Sequence, residues 1–329
     1  MTRFSISDTS WHGYPALRLV DSKAGTEAVV ACRGATLLAY RIPGPAGDFD
    51  VVEGYPDAAA FGALKGSRSA IMMPFSNRIA DGRYRFDGRH YALANRRADG
   101  NAMHGLVRDA DWTPAERDEI NGSLLMRCDA LAGGDVAGYP FELVCFARYR
   151  IEGGSLELSL SATNKAATAA PLAMGWHPYF RVPSGDRRDC LLQVPAAYAV
   201  ATDDRLLPLP GNSAYVPVAS AGCDYRQPAV LGDARLDTCL TDLQADHDGL
   251  IRSRLIDARS DYTLELAQSR GAVHVFTPGE QGSVEDRVAI EPTELMPDAF
   301  NRVDCQERLR LPAGATRTLV TRVSAAFRD

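Results

Sequence analysis

The sequence predicts an all-β protein, a large antiparallel sheet system of sandwich or barrel type with few short helices. Three observations predict it. Apolar and polar residues alternate with a period of two in runs of strand length. Asx-Gly and Gly-Gly steps sit between those runs, where tight reversals belong. The 28 glycines and 19 prolines are spread along the chain instead of gathering into linkers.

The elements follow in chain order. A short helix is expected at 56–64, where Pro56 and Asp57 precede three alanines and Phe61. Tyr84-Arg85-Phe86 and His90-Tyr91-Ala92 bracket Asp87-Gly88, the signal of a type I′ hairpin. Asn121-Gly122 separates the runs 112–120 and 123–130, and Glu152-Gly153-Gly154 joins an apolar run at 141–151 to a strand at 156–162. In that strand Leu156, Leu158 and Leu160 alternate with Glu157, Ser159 and Ser161. Segment 201–235 carries Pro208, Pro210, Pro217 and Pro228 and reads as a surface excursion that returns to the core near Leu236, with a second short helix at 228–233. Strands recur where Tyr262, Leu264 and Leu266 alternate with Thr263 and Glu265, and where Val273, Val275 and Thr277 flank His274 and Phe276. No linker, charge block or repeat divides the chain, so one domain over 1–329 is expected. A sheet this extensive must stack or close to hide its edges.

Composition bounds the function. Hydrophobic residues make up 46% of the 329 and charged residues 24%, which allows a large core and excludes general disorder. Lys plus Arg is 36 against 42 Asp plus Glu, a net charge of −6, which argues against nucleic acid or an anionic membrane as partner. No run of about 18 apolar residues exists to span a bilayer, and the first eight residues show no apolar h-region or small-residue cleavage site, so a signal peptide is not expected. The seven cysteines are odd in number, form no C-x-x-C pair and sit mostly in apolar runs. Reduced core thiols in a cytoplasmic protein are expected, not disulfides or a zinc site.

Four places break the alternation with polar residues in apolar or glycine-rich surroundings. Asn77-Arg78 follows Met72-Met73-Pro74-Phe75, and a buried guanidinium there needs partners. His104 lies in Ala102-Met103-His104-Gly105, and His177 lies between Trp176 and Pro178-Tyr179-Phe180. Aromatic faces beside a polar tip suit a sugar ring, which offers C–H faces to stack and hydroxyls to bond. Glu291 ends the apolar run Val288-Ala289-Ile290 and precedes Pro292, which is expected to end the strand. Burial would raise the pKa of Glu291, while Arg78 or a protonated histidine nearby would lower it again. One glutamate, two histidines and an arginine make a plausible acid–base set.

With these residues in hand, the sequence resembles the aldose 1-epimerase family. The stretch Asn77-Arg78-Ile79-Ala80-Asp81-Gly82, followed by Gly88, Tyr91 and Leu93, is similar to the family's N-R-I-x-x-G…G-x-x-Y-x-L region, continuing to Asn95, His104-Gly105 and Trp112. His177, Asp237-Thr238 and Ile290-Glu291-Pro292 with Asp298 and Asn301 match its later segments. Gly34-Ala35-Thr36-Leu37 and Val51-Val52-Glu53-Gly54-Tyr55 look like its opening strands. The resemblance implies a β-supersandwich and interconversion of the α- and β-anomers of a free aldose, with no metal or organic cofactor. It implies Glu291 as the base on the C1 hydroxyl and His177, protonated near pH 7, as the acid on the ring oxygen. Asn77, Arg78, His104, Asp237 and Tyr179 would bind a monosaccharide, in a monomer or homodimer.

Three departures bear on the sugar. Leu106 follows His104-Gly105 where the family has a second glycine, Trp176 replaces a more polar residue, and a glutamine or valine is usual near His274. A more apolar pocket wall, favouring pentoses or deoxyhexoses, is the expectation. Other readings are a hexose-6-phosphate mutarotase using Arg181, Arg187 and Arg188, a non-catalytic sugar-binding protein, and a glycoside hydrolase using Glu291 with Asp237.

Overall fold

The computed structural model describes residues 2–94, 96–280 and 284–328, so Asn95 lies outside the described residues. Turn chemistry drives the architecture locally. Asp87 and Gly88 take φ of 47° and 78° between the paired residues Phe86 and Arg89, the backbone that a type I′ reversal requires. Gly153 and Gly154 do the same between Glu152 and Ser155, with φ of 58° and 80°. The strands Thr113–Asp118, Ser123–Leu131, Leu143–Glu152 and Ser155–Asn164 therefore run antiparallel, each beside the next, as one half of a nine-stranded sheet.

The strand Thr316–Phe327 lies in the interior of that sheet. It pairs with Ser155–Asn164 on one side and Tyr262–Gln268 on the other. Beyond follow Ile251–Asp257, Leu191–Gln193 and Ala229–Val230. Along Ser155–Asn164 buried and half-buried residues alternate, so Leu156, Leu158 and Leu160 face the core.

An eight-stranded sheet carries the polar residues of interest. Its order is Tyr215–Pro217, Ala196–Val200, Asp237–Leu243, Ala272–Phe276, Arg287–Thr293, Gly175–His177 and Ala70–Met72, with Tyr179–Arg181 also paired to Arg287–Thr293. Both large sheets contribute to one hydrophobic cluster, in which Leu158 and Leu264 of the first join Val273 and Ile290 of the second. A five-stranded meander, from Phe4–Trp11 to Gly47–Asp50, supplies Leu17, Leu19 and Tyr40 to it. This is a β-supersandwich with few short helices, as expected.

The helix expected at 56–64 is Ala58–Gly62, capped by the Asp57 carboxylate accepting from the Ala60 N–H and held by buried Phe61. Two expectations are corrected. Residues 228–233 are not helical: Ala229–Val230 forms an edge strand on Leu192 and Leu191, because six residues behind a proline gain too little from one helical turn to outweigh a sheet partner. Pro292 does not end its strand, which runs on to Thr293. Pairing toward Gly175–His177 and Tyr179–Arg181 lapses between Thr293 and Ala289, so the missing N–H of Pro292 breaks no ladder bond.

Segment 201–235 is the surface excursion, tacked down by buried Ala214, Val218, Cys223, Tyr225 and Leu231, and Leu236 rejoins the core. All seven cysteines are unpaired thiols, and all but Cys32 are buried. Among the described residues no helix is long and apolar enough to cross a membrane.

Candidate active site

The register of the eight-stranded sheet builds the site. His274 pairs with Cys239 on one side and Glu291 on the other. The pairs Gly175–Thr293 and Tyr179–Ala289 bracket His177, which puts it across from Glu291. Cys239, His274, Glu291 and His177 thus form one row across four strand positions. A second row on the same face holds Asp237, Phe276 and Tyr179. Residues from positions 177, 237, 274 and 291 meet because side chains two apart on a strand share a face, and cross-strand partners stand about 5 Å apart.

Two turns close the site from above. Asn77 and His104 both adopt left-handed backbone, with φ of 53° and 58°, and the His104 N–H donates to the Asn77 carbonyl over 2.9 Å. Gly105 is required there: a Cβ would lie 2.3 Å from the Met73 carbonyl oxygen. The Ala80 N–H donates to the Asp298 carboxylate, and the Asp298 N–H donates to the Arg78 carbonyl. Asp298 therefore holds the Asn77–Arg78 turn against the end of the Glu291 strand.

All seven residues singled out in the sequence, Asn77, Arg78, His104, His177, Tyr179, Asp237 and Glu291, line one cavity of about 590 Å³. His274 lines it too and was missed as a site residue. The alternation at 273–277 put it on a face with Phe276, but nothing local marks it. Its partners lie 37 residues before it and, as Glu291, on the next strand. Trp176 is buried in the opposite direction, on the core face with Phe180, so it makes no part of the cavity wall. Leu106 is packed against the core and is absent from the wall as well. The expectation of a more apolar pocket falls with them, because one strand position separates the two faces.

At the centre, His177 Nε2 lies 3.4 Å from Glu291 Oε1. Nδ1 of His177 and Oε2 of Glu291 are buried without a hydrogen-bond partner among the described residues. The His177 ring stacks on Tyr179 at 5.1 Å and meets His104 edge-on at 5.0 Å. The Tyr179 hydroxyl donates to the Gly66 carbonyl over 3.2 Å. His104 Nδ1 contacts the Met72 sulfur at 3.0 Å. His274 Nε2 is bound to Asp237 Oδ1 at 2.7 Å.

The charges follow from these contacts. Burial pushes Glu291 up to about 8, against the pull of the His274 charge. Burial opposes charge on His274 most strongly, but the bonds to Asp237 and Cys239 and the charges of Glu291 and Asp237 together outweigh it and raise His274 to about 10. Burial works most strongly against the Asp237 carboxylate, yet the His274 bond and charge together with Arg78 and His177 hold it below the usual range. His177 is pushed down to about 3 by burial and then by the neighbouring His274 charge. His104 is lowered as well, by burial and by His177. The protonated histidine expected beside Glu291 is therefore His274, and His177 is neutral near pH 7. Burial and a cation already present at His274 together disfavour a second one at His177.

Arg78 also departs from expectation. Its one hydrogen bond goes to the Asn77 side-chain oxygen over 3.1 Å, its Nε is buried without an acceptor, and it makes no ion pair among the described residues. The guanidinium lines the cavity without an ion pair, and Asp237, Asp99 and Glu291 act on its charge only from farther away.

Comparison with known proteins shows the family and the fold. The aldose 1-epimerase family profile matches residues 17–324. Human galactose mutarotase is 28% identical over 278 residues, 77% of this chain and 77% of that protein. The galactose mutarotase of Pongo abelii is 27% identical over 82% of each chain. Among solved structures, a galactose mutarotase-like protein from Clostridium acetobutylicum superposes with a TM-score of 0.83 at 16% identity, covering 99% of both chains. A galactose 1-epimerase from Lactobacillus acidophilus gives 0.77 at 16% identity, again over 99% of both. A profile match over almost the whole strand system, on a fold shared end to end, means that the chain belongs to the aldose 1-epimerase family.

Proposed function

We propose that the protein is a mutarotase that opens and recloses the hemiacetal ring of an aldose, with Glu291 and His177 as its acid–base pair. The observation that carries this reading is their 3.4 Å contact at the wall of the cavity that both line. Ring opening removes one proton from the C1 hydroxyl and supplies one to the ring oxygen. The pair needs one proton for this, and it holds one between about pH 3 and about pH 8.

That proton rests on Glu291, which holds it more tightly than His177 does. Moved across the contact to His177, it leaves Glu291 as base and His177 as acid. Glu291 then takes the C1 hydroxyl proton as the C1–O5 bond breaks, and His177 protonates the ring oxygen. Opening returns the pair to its resting distribution. Rotation about C1–C2 and the reverse transfers close either anomer, so solvent need not reset either group.

Asn77, Arg78 and His104 from the two turns, with Tyr179 and Asp237 from the sheet, surround the pair and suit ring hydroxyls. Asp237 is engaged by His274, which argues against its service as the second free carboxylate of a glycosidase pair. Glu291 and His177 both face the cavity, which favours catalysis over mere binding. Unpaired cysteines fit the reducing cytoplasm.

Polarimetry on freshly dissolved α-anomers tests the activity. Acceleration of equilibration that is lost in Glu291→Gln is expected. Equilibration of free and phosphorylated aldoses at the uncatalysed rate would overturn the reading.

A further inference from the structure

We propose that the cavity carries an anion subsite, formed by Arg33, Arg97 and Arg108, for an aldose bearing a phosphate or carboxylate group away from C1; this rests on the mutarotase reading. Five cations line the cavity: Arg33, Lys65, Arg78, Arg97 and Arg108. Elsewhere in the chain arginines are mostly neutralised, as Arg68 is by Glu53, Arg181 by Asp286 and Arg188 by Asp186. Among the described residues none of the five cavity cations has a carboxylate oxygen within 4.0 Å.

Their hydrogen bonds go to neutral acceptors instead. Arg33 donates to the carbonyls of Phe61 and Gly62, Arg108 to the Ser67 hydroxyl, and Arg97 to the Met103 sulfur. Nε of Arg108, like Nε of Arg78, is buried with no acceptor. Arg97 is close enough to lower the proton affinity of both Arg78 and Arg108, so like charges crowd here. Asp109 on the rim offsets Arg108 without an ion pair. The two inner carboxylates, Asp237 and Glu291, are occupied by His274 and His177.

A neutral sugar needs hydroxyl partners, not a surplus of guanidinium groups that repel one another. An oxyanion repays that crowding and fills the open N–H groups through paired charge-assisted bonds. The bonds of Arg33 and Arg108 to one turn, Phe61–Ser67, fix both heads in advance, which lowers the entropy lost on binding. Arg181, Arg187 and Arg188, the arginines that the sequence offers for a phosphate, do not line the cavity. Arg181 and Arg188 are in ion pairs, and Arg187 is buried and bonded to the Gly232 carbonyl.

The test measures anomer exchange by NMR on glucose and galactose, on their 6-phosphates, and on glucuronate and galacturonate, with binding of the same sugars measured by calorimetry. At least one anionic series should show kcat/KM about tenfold or more above its neutral parents, and the phosphate and carboxylate arms identify which group is taken. Arg97→Gln combined with Arg108→Gln should lower the charged-to-neutral ratio about tenfold. Because Arg108 supports a turn, Arg97→Gln alone serves as the second variant, with a smaller fall in that ratio. Neutral sugars exchanged as fast as both anionic series, with no preference in binding, would overturn the subsite and leave the mutarotase reading standing. Preferential binding of an anionic sugar without exchange of any sugar would keep the subsite and overturn the mutarotase reading.

Discussion

The two sides of the cavity are built on different terms. The sheet side places Asp237, His274, Glu291 and His177 in registered rows, and each charge there has a counter-charge within reach. The turn side places Arg33, Arg97 and Arg108 on loops, with Arg78 on the short strand Arg78–Ile79, and leaves their charges without ion pairs among the described residues. A ladder of backbone hydrogen bonds holds the first set to a fixed geometry, as proton transfer demands. Loops carry the second set, and loops can change without disturbing the core. The chemistry thus belongs to the sheet, and the choice of sugar to the turns.

The largest effects should come from breaking the sheet side. Glu291→Gln and His177→Asn each remove one half of the pair and should lower kcat by at least about 10²-fold. Circular dichroism must show each variant folded. A Glu291→Gln enzyme that keeps more than about a tenth of the wild-type kcat would remove Glu291 from its role.

Next comes the turn side at its deepest point. Arg78→Gln should raise KM about tenfold with a smaller change in kcat, the mark of a lost binding contact. No carboxylate is left unpaired by this change among the described residues, so its thermal midpoint should stay close to wild type. A collapse in stability with an unchanged KM would make Arg78 a structural residue.

The charge link between His274 and Glu291 offers a smaller, signed effect. The one-proton state of the pair is lost above about pH 8, so kcat/KM should fall there. His274 carries a positive charge up to about pH 10 and lowers the proton affinity of Glu291. His274→Gln removes that charge, the pair holds its proton more tightly, and the alkaline limb should move to higher pH. A limb that stays in place, or moves down, would mean that His274 is not a cation beside Glu291. The smallest effect sharpens the comparison from outside. Arg188→Gln breaks only a surface pair with Asp186 and should leave kcat/KM unchanged for neutral and charged sugars alike.

Much of this was legible in the sequence, for identifiable reasons. Strands such as Ser155–Asn164 declare themselves because half-burial forces a period of two. Hairpins declare themselves because only residues such as Asp87-Gly88 tolerate positive φ twice in succession. Asn77, His104 and His177 stood out because they interrupt apolar runs. His274 did not, since its significance depends on a register that brings Asp237 and Glu291 to either side of it. The same limit hid the cationic turns. An arginine on a loop looks like a solvated charge until the fold decides whether a carboxylate reaches it, and here Arg188 is met by one while Arg108 is not. The state of His177 was unreadable too, because its low proton affinity comes from burial and then from a neighbour on another strand, both of which only the fold supplies.

The placement of Thr316–Phe327 inside the nine-stranded sheet has a consequence for how the molecule comes into being. Until those residues arrive, Ser155–Asn164 and Tyr262–Gln268 are two open edges, each long and apolar on one face. They join only through a strand whose pairings, such as Ser155 with Ser324, reach far along the chain. Contacts of that range form slowly, and exposed edges invite pairing between molecules. Growing chains are therefore at greatest risk of aggregation while residues 316–327 are still unmade, and removing this one strand should yield insoluble protein, not a smaller soluble one.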